Sequence, residues 1–153
     1  MWEIKGKSID AKRFEPFEPV RVLNFYDGPR IFTVLDSDGG LCLACWSDED
    51  ERRSRFLVVP VSSKTIAELE RGMLTVREAL IQPRMWVVDL TLAGAVEFVW
   101  LVNSEDVPDD AQPQLDSMLH RSTESDASWR NSNTAIRQGE LTGIVVSPID
   151  QFV

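Results

Sequence analysis

The chain has 153 residues, of which 25 are acidic and 16 basic, so its formal net charge is −9. This length is typical of one domain that can bury a core without disulfides or a structural metal. The negative charge argues against nucleic acid as a partner, because phosphate binding depends on clustered Lys and Arg. Since no apolar run approaches the roughly 20 residues of a membrane span, we expect no membrane partner.

Residues 1–19 predict an N-terminal arm that lies against a sheet. The segment is charge-balanced, carries Pro16 and Pro19, and includes Phe14 and Phe17 as apolar anchors. It lacks the continuous apolar run of a secretory signal. We therefore expect a cytoplasmic protein.

Four apolar runs follow between residues 20 and 62, and each break between them carries turn or charge chemistry. The runs are VRVLNFY, RIFTVL, LCLACW and RFLVVPV, separated by DGP, DGG and SDEDE. Short β-rich runs bounded by Asp, Gly and Pro are typical of an antiparallel meander. In the first turn Pro29 has no N–H, so a loop of two residues cannot close normally and a wider loop through Arg30 is expected.

Two short helices are predicted after the fourth run. Ser62 or Ser63 can cap the first, and Gly72 suits the left-handed residue that ends it. The second begins with the capping box of Thr75 and Glu78. Residues 85–92 and 96–102 then alternate aromatic and β-branched side chains, which predicts a further hairpin.

The rest of the chain is polar and acidic. Seven acids and one base fall between residues 103 and 128. We predict that 103–134 is an acidic, partly disordered segment and that 135–153 contains a C-terminal strand. The expected fold is a single α+β domain, with 20–102 forming an antiparallel meander sheet of five to seven strands and two short helices after the fourth strand.

No pattern indicates a reaction centre. Cys42 and Cys45 have C-x-x-C spacing, but inside a strand positions i and i+3 point to opposite faces, so core packing is favoured over zinc or redox chemistry. His120 is the single histidine and has no organised partner nearby. The turn carboxylates are ordinary hairpin residues. We predict no enzyme activity, cofactor or metal, with catalytic and cofactor-binding residues absent.

Partner binding is the remaining hypothesis, because the chain has five tryptophans and Trp is favoured at interface hot spots. Trp46, Trp86 and Trp100 are explained by sheet packing, whereas Trp2 and Trp129 stand in polar contexts. Docking of Trp2 and Trp129 onto their own domain is the alternative. The candidate partner-binding residues are Trp2, Trp129, Asp106, Asp109, Asp110, Leu115, Met118 and Leu119.

A stretch from about residue 22 to 88 resembles a family of uncharacterised bacterial proteins, a domain of unknown function. The matching pieces are FYDGP, DEDE, LVVPVS, Gly72 and REAL, in that order. The resemblance implies an α+β scaffold and a bacterial origin, and it implies no activity or catalytic residues.

Three functions follow as hypotheses. The first is a non-enzymatic protein–protein interaction module, a regulatory or accessory subunit of a bacterial multi-protein system, with defence as one context. The second is an acidic inhibitor (an antitoxin, immunity protein or nucleic-acid mimic) of a basic partner protein. The third is a small hydrolase that uses turn carboxylates such as Asp27 or Asp48.

Overall fold

The computed structural model describes residues 1–119, and seven strands and two α-helices make up this part of the chain. The predicted C-terminal strand at 135–153 lies outside the described residues. The elements in chain order are β1 (Gly6–Ile9), β2 (Arg21–Phe25), β3 (Pro29–Leu35), β4 (Leu41–Glu49), β5 (Arg53–Pro60), α1 (Ser63–Glu70), α2 (Val76–Ala79), β6 (Arg84–Thr91) and β7 (Val96–Asn103).

All seven strands form one sheet in the order β1-β7-β6-β5-β4-β3-β2, and every neighbouring pair is antiparallel. Strands β2 to β7 are therefore a meander, and the predicted α+β fold with five to seven strands is confirmed. The two helices follow the fourth run of the predicted meander, which is β5.

The N-terminal arm contributes a strand, which its composition did not predict. Strand β1 pairs with β7 and places Gly6 opposite Val102. A Cβ at residue 6 would lie 2.5 Å from the Leu101 carbonyl oxygen and 2.6 Å from Val102 Cγ1. Glycine is therefore required where β1 meets β7.

The first hairpin loop is wider than two residues, as Pro29 requires. Phe25 pairs with Pro29 across a loop of residues 26–28, in which the Tyr26 N–H donates to the Gly28 carbonyl at 2.9 Å. Asp27 adopts a φ of 54° there. Arg30 belongs to strand β3 and not to the loop.

The helix boundaries agree with the capping chemistry of the sequence. The Ser62 hydroxyl accepts a hydrogen bond from the Thr65 N–H at 3.1 Å and caps α1. The Thr75 hydroxyl accepts from the Glu78 N–H at 3.0 Å, and the Glu78 carboxylate accepts from the Thr75 N–H at 2.8 Å, which completes the capping box. Gly72 has a φ of 73°.

The sheet buries apolar side chains on both faces, because successive residues of a strand point in opposite directions. One face, here called the helical face, is covered by α1, α2 and residues 104–119. The buried apolar side chains on this face form one cluster, here called the helical-face cluster. It includes Leu43, Leu57, Val59, Leu69, Val76, Leu80, Met85, Val87, Val102, Val107, Ala111 and Leu119.

The other face, here called the arm face, is covered by residues 10–19. Phe17 from this arm packs on Phe14, Phe32 and Phe56, and ring centroids 5.3 to 6.1 Å apart link the four rings. Phe14 is fully buried, as its predicted role as an anchor requires.

No helix within residues 1–119 is long and apolar enough to cross a membrane.

Candidate interaction surface

Residues 104–119 leave strand β7 and pack on the helical face. The Ser104 N–H donates to the Pro83 carbonyl at 3.0 Å, and the Ala111 carbonyl accepts from the Ser47 hydroxyl at 2.7 Å. Val107 is buried between these two attachments, and Ala111 at the second attachment is buried as well. The first part of the predicted acidic segment is therefore folded onto the sheet.

The end of this segment is held by α2 and the residues before it. The Val76 N–H donates to the Ser117 carbonyl at 2.8 Å, and Thr75 forms an isolated antiparallel bridge with Met118. Arg77 donates to the Pro113 carbonyl at 2.8 Å and forms an ion pair with Asp109. These contacts fix the backbone from residue 109 to 118.

Three apolar side chains remain exposed around this fixed backbone. Met73, Leu115 and Met118 have exposed fractions of 65%, 74% and 44%. Met118 Cε lies 3.8 Å from the position of a Cβ at Gly72, so Met118 approaches the chain next to Met73. Five exposed acids occur in the same segment: Glu105, Asp106, Asp109, Asp110 and Asp116. These eight residues are called the 73–118 surface below.

Trp2 contacts its own domain. Its indole N–H donates to the Ser47 hydroxyl at 3.1 Å, and its ring packs against the helical-face cluster. Its ring centroid lies 4.9 Å from the guanidinium carbon of Arg55. Trp2 therefore does not need an external partner for its burial.

Of the other candidate partner-binding residues, Leu119 differs from the expectation and Trp129 cannot be compared with it. Leu119 is 5% exposed and belongs to the core, so it does not offer its side chain to a partner. Trp129 and His120 lie outside the described residues. Asp106, Asp109, Asp110, Leu115 and Met118 are exposed, as partner binding requires.

A buried ion pair, which sequence reasoning missed, lies under Trp2. Arg55 donates to Asp89 through Nε to Oδ1 and through Nη2 to Oδ2, both at 2.8 Å. Arg55 Nη1 also donates to the Trp2 carbonyl, and Trp100 lies 5.5 Å from the guanidinium carbon. Asp89 is fully buried. The signal in the sequence is a lone Asp within an otherwise apolar strand.

Two arginines of the basic run at 52–55 form ion pairs with acids of other strands. Arg53 pairs with Glu97 at 3.4 Å, and Arg55 pairs with Asp89. The ion pairs of these two arginines are therefore with acids of β7 and β6, and not with the acids 48–51 that precede them in the chain. Asp50 instead accepts backbone hydrogen bonds from Arg52 and Arg53, and these bonds lower the pKa of its carboxyl group.

The two cysteines lie on opposite faces of the sheet, as their spacing in a strand predicts. Cys42 belongs to the arm-face cluster and Cys45 to the helical-face cluster. Burial raises the pKa of Cys42 to about 11 and that of Cys45 to about 12. Both thiols are therefore protonated at neutral pH and are weak nucleophiles.

The turn carboxylates bind backbone N–H groups. Asp36 Oδ1 accepts from the N–H groups of Asp38 and Gly40 at 2.9 and 2.8 Å, and Asp48 Oδ1 accepts from the Glu49 N–H at 2.8 Å. Within residues 1–119 no group of three or more His, Cys, Asp or Glu side chains could hold a metal ion. These contacts stabilise turns in the way that short acidic side chains do in hairpins.

Residues 16–91 of the chain match a family of unknown function, DUF6575. The stretch at 22–88 that carried the sequence resemblance lies within this match, so the resemblance to an uncharacterised domain is confirmed. No curated protein and no solved structure matches the chain.

Proposed function

We propose that the protein is a non-enzymatic protein–protein interaction module that binds its partner through the 73–118 surface. In this proposal it serves as a regulatory or accessory subunit of a bacterial multi-protein system in the cytoplasm. The observation that carries the proposal is the exposure of Met73, Leu115 and Met118 on a backbone that packing and hydrogen bonds hold in place.

The composition of this surface suits a protein interface. Methionine side chains are flexible and polarizable, so they adapt to an apolar partner surface. Interfaces typically have an apolar centre and a polar rim. Met73, Leu115 and Met118 can supply the centre, and the five exposed acids can supply the rim.

The charges of the rim favour a basic partner. The five acids have one basic partner among the ion pairs of residues 1–119, the pair of Asp109 with Arg77. Complementary charge raises association rates and selects partners more than it adds affinity. We therefore expect the partner to present an apolar pocket surrounded by Lys or Arg.

The experiment is affinity purification from the native host with the full chain as bait, followed by mass spectrometry. The double variant Leu115→Glu with Met118→Glu should lose a stoichiometric partner that the unchanged chain retains. Leu92→Glu is the matched control, because Leu92 is 76% exposed and Leu115 is 74% exposed. The proposal is wrong if both variants retain the partner equally, or if no partner is found.

The acidic inhibitor is the second candidate, and the five exposed acids of the rim favour it. In that case binding depends mainly on charge and weakens steeply with salt. The triple variant Asp106→Asn, Asp110→Asn and Asp116→Asn should then lose the partner, whereas Leu115→Glu should retain it. An apolar interface predicts the opposite result for these two variants.

A further inference from the structure

A groove of about 780 Å³ lies at one end of the sheet, and none of the eight residues of the 73–118 surface lines it. It is formed by the residues after β1, the end of β5 and the connection from α2 to β6. Pro60, Pro83, Trp86 and Leu101 give it apolar lining. Small-molecule sites have typical volumes of roughly 300–1,000 Å³ and are mostly apolar with a few polar groups.

Three cationic side chains line the same groove: those of Lys12, Arg13 and Arg84. Lys12 and Arg84 are exposed, and neither forms an ion pair with any residue from 1 to 119. Asp10 is the one acid of the lining, and its carboxylate accepts the Lys12 backbone N–H at 2.9 Å. The ammonium of Lys12 and the guanidinium of Arg84 therefore remain available to an anion.

The third cation, Arg13, makes the wall rigid. Its guanidinium carbon lies 4.8 Å from the centroid of Trp86, and its Nη2 lies 3.5 Å from Asp36. The Trp86 ring in turn meets Phe14 edge-on, with centroids 5.2 Å apart. Because these contacts fix the Trp86 ring without a ligand, binding does not have to order this wall of the groove.

We propose that this groove, here called the Trp86 groove, binds a small organic anion, in which a carboxylate or phosphate is joined to an apolar body. Lys12 and Arg84 bind the anionic group, and Trp86, Pro83 and Leu101 contact the apolar body. Arg suits this role because its planar guanidinium donates two parallel hydrogen bonds to a carboxylate or phosphate.

The test is a nuclear magnetic resonance titration of the full chain, labelled with nitrogen-15. The probes are phenyl phosphate, phenylacetate and the neutral phenethyl alcohol. We expect saturable shifts of the Trp86 indole N–H and the Gln82 side-chain amide with the two anions and not with the alcohol. The tighter of the two anions identifies phosphate or carboxylate as the preferred group.

Substitutions then locate the anionic group. Arg84→Gln and Lys12→Gln should each weaken binding of the preferred anion about tenfold, the effect of losing one charge-assisted hydrogen bond. Lys64→Gln is the matched control, because Lys64 is also exposed but lies on α1 outside the groove. All three side chains are exposed, so the variants should fold normally.

Three results would overturn the proposal. One is the absence of saturable shifts with either anion at millimolar concentration. Another is equal binding of phenethyl alcohol, which would mean that the apolar lining acts alone. The third is an equal loss of affinity in Lys64→Gln, which would mean that the anion responds to the overall charge of the chain.

Discussion

The helical face and the arm face of the sheet are both buried, but they are covered by different kinds of structure. Two capped helices and residues 104–119 cover the helical face, which also contains the Arg55–Asp89 ion pair. A single short arm covers the other face with two phenylalanine rings, and Trp46 and Trp86 remain half-buried there under Arg30 and Arg13. A thin cover therefore suffices where large aromatic rings fill the contact.

The largest effect is expected from removing a ring of the arm. Phe14→Ala should lower the free energy of unfolding by about 3–5 kcal/mol, because it deletes a fully buried phenylalanine from the one segment that covers this face. Urea denaturation measures the change. Phe25→Ala is the control, since Phe25 is 39% exposed and should cost less. Equal costs would mean that the arm is not the essential cover.

On the helical face, breaking the Arg55–Asp89 ion pair should cause the next largest loss in the free energy of unfolding. Asp89→Asn should cost about 3 kcal/mol in the same assay, because it leaves the Arg55 charge buried without its counter-ion. The control Glu97→Gln breaks the more exposed pair with Arg53 and should cost less than about 1 kcal/mol.

A double variant sharpens this prediction. Arg55→Met combined with Asp89→Leu removes both charges and should recover most of the stability lost in Asp89→Asn. If the double variant is as unstable as the single one, the pair is needed for its geometry around Trp2 and Trp100 and not for neutralisation alone.

Ionisation of the two buried thiols probes both faces of the sheet, because Cys42 lies on the arm face and Cys45 on the helical face. Burial raises the pKa values of the two thiols to about 11 and about 12 in the folded state, whereas the ordinary pKa of a thiol, which we assign to the unfolded chain, is 9.0. Above pH 9 the unfolded chain therefore binds fewer protons than the folded chain, and stability falls as the pH rises. The loss should be on the order of 1 kcal/mol per thiol at pH 10.

Denaturation of the unchanged chain, Cys42→Ala and Cys45→Ala between pH 8 and pH 10 checks this sign and size. Lysines and tyrosine also begin to ionise as the pH approaches 10, and the comparison with each Cys variant, which keeps these residues, removes their contribution. Each variant should lose its own part of the pH dependence. A variant with an unchanged slope would show that its thiol already ionises in the folded state.

The smallest effect concerns only the helical face. Thr75→Ala removes the side-chain cap of α2 and should cost about 1 kcal/mol. Ser63→Ala is the control, because Ser63 lies inside α1 and Ser62 is the cap there. A cost below that of Ser63→Ala would mean that packing, and not the capping box, determines the start of α2.

Local chemistry explains which features the sequence could predict. The hairpins, the capping box and the two-sided strand with Cys42 and Cys45 depend on neighbouring residues, and each was found. The partnership of Arg55 with Asp89, the burial of Leu119 and the approach of Met118 to Gly72 join residues far apart in the chain. Composition and spacing carry no information about such contacts, because register and packing determine them.

For the same reason, only one of the two candidate sites could be predicted from the sequence. Leu115, Met118 and the acids stand close together in the sequence, so five of the eight residues of the 73–118 surface were predicted, and Met73, Glu105 and Asp116 were not. The Trp86 groove was not, because Lys12, Arg84 and Trp86 come together only when β1 pairs with β7 and β7 with β6.

The path of residues 1–19 has a consequence for the order of folding. Trp2 and Ile4 pack on the helical face, Phe14 and Phe17 pack on the arm face, and β1 between them is the edge strand beside β7, so this segment passes from one face of the sheet to the other around that edge. Gly6 of β1 pairs with Val102 of β7. The ribosome therefore releases β1 well before β7, the strand with which β1 pairs. Contacts of such long sequence separation form slowly. Until β7 is available, the N-terminal segment therefore cannot complete the cover of either apolar face of the nascent sheet. During this interval the chain is most exposed to aggregation or to capture by a chaperone.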